Sequence, residues 1–147
     1  MYWTYVNFIT LGFMAVIMLP NIYYAAKCRD VENKCKNRIA NIFEQIGRYS
    51  AFSLMILSFG KKFGFSSRNG FVIWLIISVS LIMAYLICWI FYFKNQTFNL
   101  SMALAILPAV LFTETGLMLK YWPLTAAAVI FAFSHIYVTY KNAKESK

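Results

Sequence analysis

Residues 71–93, FVIWLIISVSLIMAYLICWIFYF, run for 23 positions without a single charged side chain. A helix needs about 20 apolar residues to cross the hydrocarbon core of a bilayer. A buried strand is far shorter, and a soluble core helix of this length would carry a polar face. The stretch therefore reads as a transmembrane helix. Working outward from it, four more apolar segments fall at 2–26, 39–59, 100–119 and 124–140. The fold class expected is all-α, a single membrane domain over residues 1–147 built as a bundle of about five transmembrane helices.

Composition agrees. Apolar residues make up 61% of the chain and charged residues 13%, against roughly half and one quarter in soluble domains. The net charge of +9 would suggest nucleic acid in a soluble protein, but here the basic residues fall between apolar runs. That placement is membrane topology, and it excludes a nucleic-acid partner. The first segment is too long for the apolar core of a signal peptide and has no basic start.

Polar connections separate the spans. Residues 27–38 hold five basic and two acidic side chains, and residues 60–70 are rich in glycine, serine and asparagine. Counting Lys and Arg gives orientation. With the N-terminus outside, nine basic residues (Lys27, Arg29, Lys34, Lys36, Arg38, Lys94, Lys141, Lys144 and Lys147) fall inside and four (Lys61, Lys62, Arg68 and Lys120) outside. The C-terminus is then cytoplasmic, and the setting is the cell membrane.

Residues 31–46 carry a second pattern. Val31, Cys35, Ile39, Ile42, Phe43 and Ile46 share one helical face. Either an interfacial helix leads into the second span, or one long helix projects into the cytoplasm. Pro20 and Pro108 interrupt spans and can expose backbone carbonyls. Ala105-x-x-x-Ala109 and Ala128-x-x-x-Ala132 are small-residue spacings that allow close helix approach.

Ionisable groups inside spans cost several kcal/mol and ask for a partner or a purpose. Glu44, Arg48, Glu114 and His135 are such groups. Glu44 and Arg48 are spaced i, i+4, the order that favours a helix pair. Arg48 lies roughly 17 Å below the outer end of its span, and His135 roughly 17 Å below the outer end of the last one. Asn21 falls in the same inner half. Two readings stay open for these four residues: a neutralising salt bridge, or a ligand-binding cluster in which Arg48 holds a phosphate or carboxylate with help from His135, Asn21 and Glu44. Glu114, roughly 8 Å below the outer boundary and level with Asn7, is either a hydrogen-bonded strut or a proton or cation site.

Catalytic and cofactor motifs are missing from the sequence. Cys28, Cys35, Cys88 and His135 do not make a zinc site, and the cysteines read as reduced. A Ser-His-Asp set would need Asp30, which lies in the loop after the first span. No glycine-rich phosphate loop is present.

Three short stretches, Pro20-Asn21-Ile22-Tyr23-Tyr24-Ala25, Glu32-Asn33-Lys34 and Glu44-Gln45-Ile46-Gly47-Arg48-Tyr49, resemble a family of small uncharacterised bacterial multi-pass membrane proteins. His135 and Lys141-Asn142 are similar to that family's last helix. The resemblance implies a bacterial plasma membrane and a shared site near Arg48. It carries no activity, cofactor or ligand. The function expected is non-enzymatic binding or transport of a small or lipid-like anionic molecule. The alternatives are an interaction subunit or immunity-type protein docking on a membrane partner or a second copy of itself, and last a lipid-modifying enzyme using Arg48, Glu44 and His135.

Overall fold

The structure is a computed structural model that describes residues 6–27, 33, 35–58, 64–65 and 67–145. Residues 2–5 of the first span, Cys28 to Glu32 and Lys34 of the basic loop, Lys61 and Lys62, and the last two residues lie outside the described set.

Among the described residues, five helices follow one another in an up-and-down order. They are α1 (Phe8–Lys27), α2 (Arg38–Ile56), α3 (Arg68–Lys94), α4 (Phe98–Met118) and α5 (Trp122–Glu145). Their starts are set by side chains that take up free backbone N–H groups. Asn7 Oδ1 accepts from the N–H of Ile9 and Thr10, and Asn37 Oδ1 from that of Ala40. Ser67 Oγ accepts from Gly70 N, and Thr97 Oγ1 from Leu100 N. Pro123 occupies the first turn of α5, where its missing N–H costs nothing.

Four helices, α1, α3, α4 and α5, are long and apolar enough to cross a membrane. The bundle is apolar on the outside. Phe8, Leu19, Ile76, Ile90 and Phe133 are exposed, while Asn7, Thr10, Glu44, Ser58, Ser78 and Thr115 are buried. Water would penalise such an arrangement, and lipid does not. This is a membrane protein.

The helix α2 departs from the other four in composition and from the pattern read at residues 31–46. Asn33 and Cys35–Asn37 precede the helix, which begins only at Arg38. No separate interfacial helix forms among the described residues. The segment before α2 is instead tied down by amide side chains. Cys35 N–H donates to Asn142 Oδ1 and Asn33 Oδ1, and Asn41 Nδ2 donates to Cys35 O. Within α2, Ile39, Ile42, Phe43 and Ile46 point out of the bundle, whereas Glu44, Gly47, Ala51 and Met55 point in. The apolar face of α2 is its outward face.

The helix α5 packs chiefly on α2 and α4, α4 continues onto α3, and α1 lies more lightly against α2 and α3. At one end, α1 is joined to α2 by Asn7 N–H to Ile56 O (2.9 Å) and by Thr10 Oγ1 to Met55 O (2.6 Å). Phe13, Phe65, Phe71 and Trp74 gather at that end, and Tyr24, Trp89, Tyr92 and Phe93 at the other. The two aromatic groups match the two boundaries of a bilayer. Ala105, Ala109 and Ala128 are almost wholly buried, in keeping with close helix approach.

The α4–α5 corner depends on Gly116. A Cβ there would stand 2.6 Å from Thr125 Oγ1 and 2.8 Å from Thr125 N. Gly12, by contrast, has nothing within 4 Å of a would-be Cβ. Gly116→Ala is expected to cost about 1–3 kcal/mol through overpacking. Gly12→Ala is expected to be neutral or stabilising, by up to about 1 kcal/mol, because helical glycine is entropically costly. Equilibrium unfolding in detergent tests the contrast, and equal effects would contradict it.

Candidate functional site

The site starts from a close helix crossing. A Cβ on Gly47 would meet Phe131 N and Cα at 2.8 Å, so α2 and α5 touch backbone to side-chain-less backbone at this point. Glu44 lies one turn before Gly47, and His135 one turn after Phe131. The crossing therefore brings Glu44 and His135 together although they are 91 residues apart. His135 Nδ1 is 3.0 Å from Glu44 Oε1, and its ring stacks on Phe131 at 4.7 Å. Arg48 Nη2 donates to the same Oε1. A carboxylate only accepts, so Nδ1 is the protonated nitrogen of His135.

Glu44 is buried, with 4% of its surface exposed. Arg48 is not: its side chain keeps 35% of its surface. The guanidinium has five N–H donors, and Glu44 uses only part of them. Asn21 pairs instead with Tyr85 of α3: its Nδ2 donates to Tyr85 Oη at 2.6 Å and to Ile17 O at 2.8 Å. None of these bonds reaches Arg48 or His135. Tyr85 Oη accepts from Asn21 and keeps its own proton to give. Trp89, one turn further along α3, sets its ring edge-on to Tyr85 with centroids 6.3 Å apart.

Of the four residues read from sequence, Arg48, Glu44 and His135 are joined by hydrogen bonds, while Asn21 is bonded to Tyr85. Tyr85 and Trp89 were hidden in the apolar run of α3. The available signal was their i, i+4 spacing as polar-tipped aromatics more than two turns from a helix start. Arg48 stands ten residues into α2 and eight before its end, so roughly 15 Å and 12 Å from the two ends. Ending α2 at Ile56 moves Arg48 from the inner half to the middle of the bundle.

Glu114 lies elsewhere, on α4 facing α3. Ser78 Oγ and Thr115 Oγ1 donate to its Oε2 at 3.3 and 3.4 Å, and Trp74 Nε1 donates to Thr115 Oγ1 at 3.1 Å. Its Oε1 is closed off from water and has no partner among the described residues. Asn7, expected at the same level, is engaged in capping α1 and holding Ile56. No group of three or more His, Cys, Asp or Glu among the described residues is placed to hold a metal, and Cys35 and Cys88 are free thiols.

Comparison of the chain with known protein families, with curated proteins and with solved structures returned no match.

The shared Oε1 makes a testable coupling. Removing either Glu44 or Arg48 leaves the other without its counter-charge in a low-dielectric interior. Glu44→Gln and Arg48→Gln are expected to be non-additive, the double variant losing about 0.5–3 kcal/mol less than the sum of the single losses. Unfolding of the three variants in one detergent measures this. Strict additivity would mean that the pair does not interact.

Proposed function

We propose that the chain is a five-span protein of a bacterial cell membrane that binds an anionic molecule at the Arg48 cluster, in a bundle with its N-terminus outside. The observation that carries the reading is a surplus of donors. The Arg48 side chain keeps 35% of its surface, and most of its five N–H groups are left over after the bond from Nη2 to Glu44. A planar guanidinium with free donors suits phosphate or carboxylate. Ionisable groups at this depth are retained where they serve a pathway or a ligand.

The helix α2 is counted as the fifth span. It is 19 residues long, roughly 28 Å, with Glu44 turned inward, Arg48 half-buried beside it and the isoleucines facing out toward lipid. The nine-to-four distribution of basic residues supports the orientation. In a cysteine-free variant, a membrane-impermeant thiol reagent applied to intact cells is expected to label Ser67→Cys and to spare Ser146→Cys. The reverse pattern would invert the topology.

Ligand binding is tested by stability. A ligand bound only to the folded state, at one hundred times its dissociation constant, adds about 2.7 kcal/mol. In a panel of phosphatidylglycerol, cardiolipin, inorganic phosphate and short dicarboxylates, at least one is expected to raise the melting temperature of the purified protein. Arg48→Gln is expected to abolish the gain. If no anion stabilises the wild type, or if Arg48→Gln keeps the full gain, the reading fails.

A further inference from the structure

Glu114 lines a groove of about 420 Å³ on the outer face of α4 and α5. Its walls are Ile106, Val110, Leu117 and Met118 from α4, with Ala132 and Ile136 from α5. A volume of this order is that of a small-molecule site. Among these walls Glu114 is the one charged group.

The carboxylate is held rather than loose. Ser78 and Thr115 fix its Oε2, and Trp74 fixes Thr115 in turn. The other oxygen, Oε1, has no partner among the described residues and no exposed surface in this conformation, so a donor in the groove meets it once the Glu114 side chain turns outward. A buried acceptor without a partner is uncommon in a folded protein and calls for an explanation. In a lipid-facing groove, the missing donor has to arrive on a molecule that is itself soluble in the hydrocarbon. A quaternary cation would bring charge without a hydrogen to share. An ammonium with an N–H brings both, and a charge-assisted hydrogen bond is about twice as strong as a neutral one. The rest of such a molecule must be compact and apolar to match the walls.

We infer that Glu114 and the α4–α5 groove form a binding site for a compact apolar amine that retains an N–H. The site is separate from the Arg48 cluster and of opposite charge preference, and it does not depend on that reading.

Adamantan-1-amine is a suitable probe, with adamantan-1-ol as its uncharged counterpart, in calorimetric titrations of the full chain in detergent. The amine is expected to bind, and the alcohol to bind at least about tenfold more weakly, a difference of about 1.4 kcal/mol. Glu114→Gln keeps the shape of the side chain and is expected to weaken the amine at least about tenfold. Ala132→Leu fills the groove from α5 and is expected to do the same, while Arg48→Gln leaves amine binding unchanged. Should Glu114→Gln fail to fold, the amine–alcohol comparison and Ala132→Leu decide the question. Absence of amine binding to the wild type, equal binding of the alcohol, or unchanged binding in Glu114→Gln or Ala132→Leu each overturns the proposal. So does a concentration-dependent dimer, seen by light scattering, that Ala132→Leu abolishes, because the groove would then belong to a second copy.

Discussion

A carboxylate inside a membrane bundle needs its counter-charge within hydrogen-bonding distance; Glu44 finds it in Arg48 one turn on along α2, and gains a second partner, His135, because Gly47 lets α2 press onto α5. Any larger residue at position 47 would meet the backbone of Phe131. The same crossing sets how α2 is rotated. With Glu44, Gly47, Ala51 and Met55 turned in, Ile39, Ile42, Phe43 and Ile46 must turn out, where lipid accepts them. Glu44 is thereby carried inside, while Arg38 and Gln45 of the same helix stay exposed. Within the bundle Glu44 and Arg48 answer each other, and His135 adds a second partner to Glu44.

From α5 the bundle extends in two directions, and the character of the contacts changes. On the α4 side, small residues do the work: Gly116 under Thr125, and the buried alanines 105, 109 and 128. With lipid as apolar as the side chains, close backbone approach replaces the hydrophobic effect as the source of association. On the α1 side, hydrogen bonds take that role. Thr10 and Asn7 reach the last carbonyls of α2, and Asn21 reaches Tyr85 of α3. The helix with the lightest packing is thus the one most dependent on specific polar contacts, which are costly to break away from water.

Much of the fold was legible in the sequence, because span length and apolarity are set by the bilayer rather than by neighbouring residues. Span ends moved by a few residues where a cap decided them, as at Asn37 and Thr97. The stretch at 31–46 shows the limit of periodicity. A face of one character was visible, but whether it turns toward core or lipid depends on what answers Glu44, and that partner lies 91 residues away. In the candidate site, Glu44 and Arg48 were readable from their spacing, and His135 from matched depth. The bond between Asn21 and Tyr85 was not readable, because Tyr85 sits in a run where every neighbour is apolar and gives no contrast. Glu114 was placed level with Asn7 and beside Thr115; the donors observed are Thr115 and Ser78, the latter a small hydroxyl common enough in membrane helices to carry no signal of its own.

The two buried acids make a physical contrast within one chain. On Glu44, one oxygen takes two donors, one of them a guanidinium, at the middle of the bundle. On Glu114, one oxygen takes two hydroxyls at long distance, and the other takes nothing among the described residues. Coulomb attraction scales inversely with dielectric constant, so the same missing donor is costlier here than in water. The bundle has thus answered one carboxylate from within and left the other half-answered beside an apolar groove. A charge met from within fixes how two helices cross, as Glu44 does for α2 and α5. Through Oε2, Glu114 ties α4 to α3 at Ser78, as Glu44 ties α2 to α5; its Oε1 does no such work, and that difference is why the amine proposal falls on Glu114 and not on Glu44.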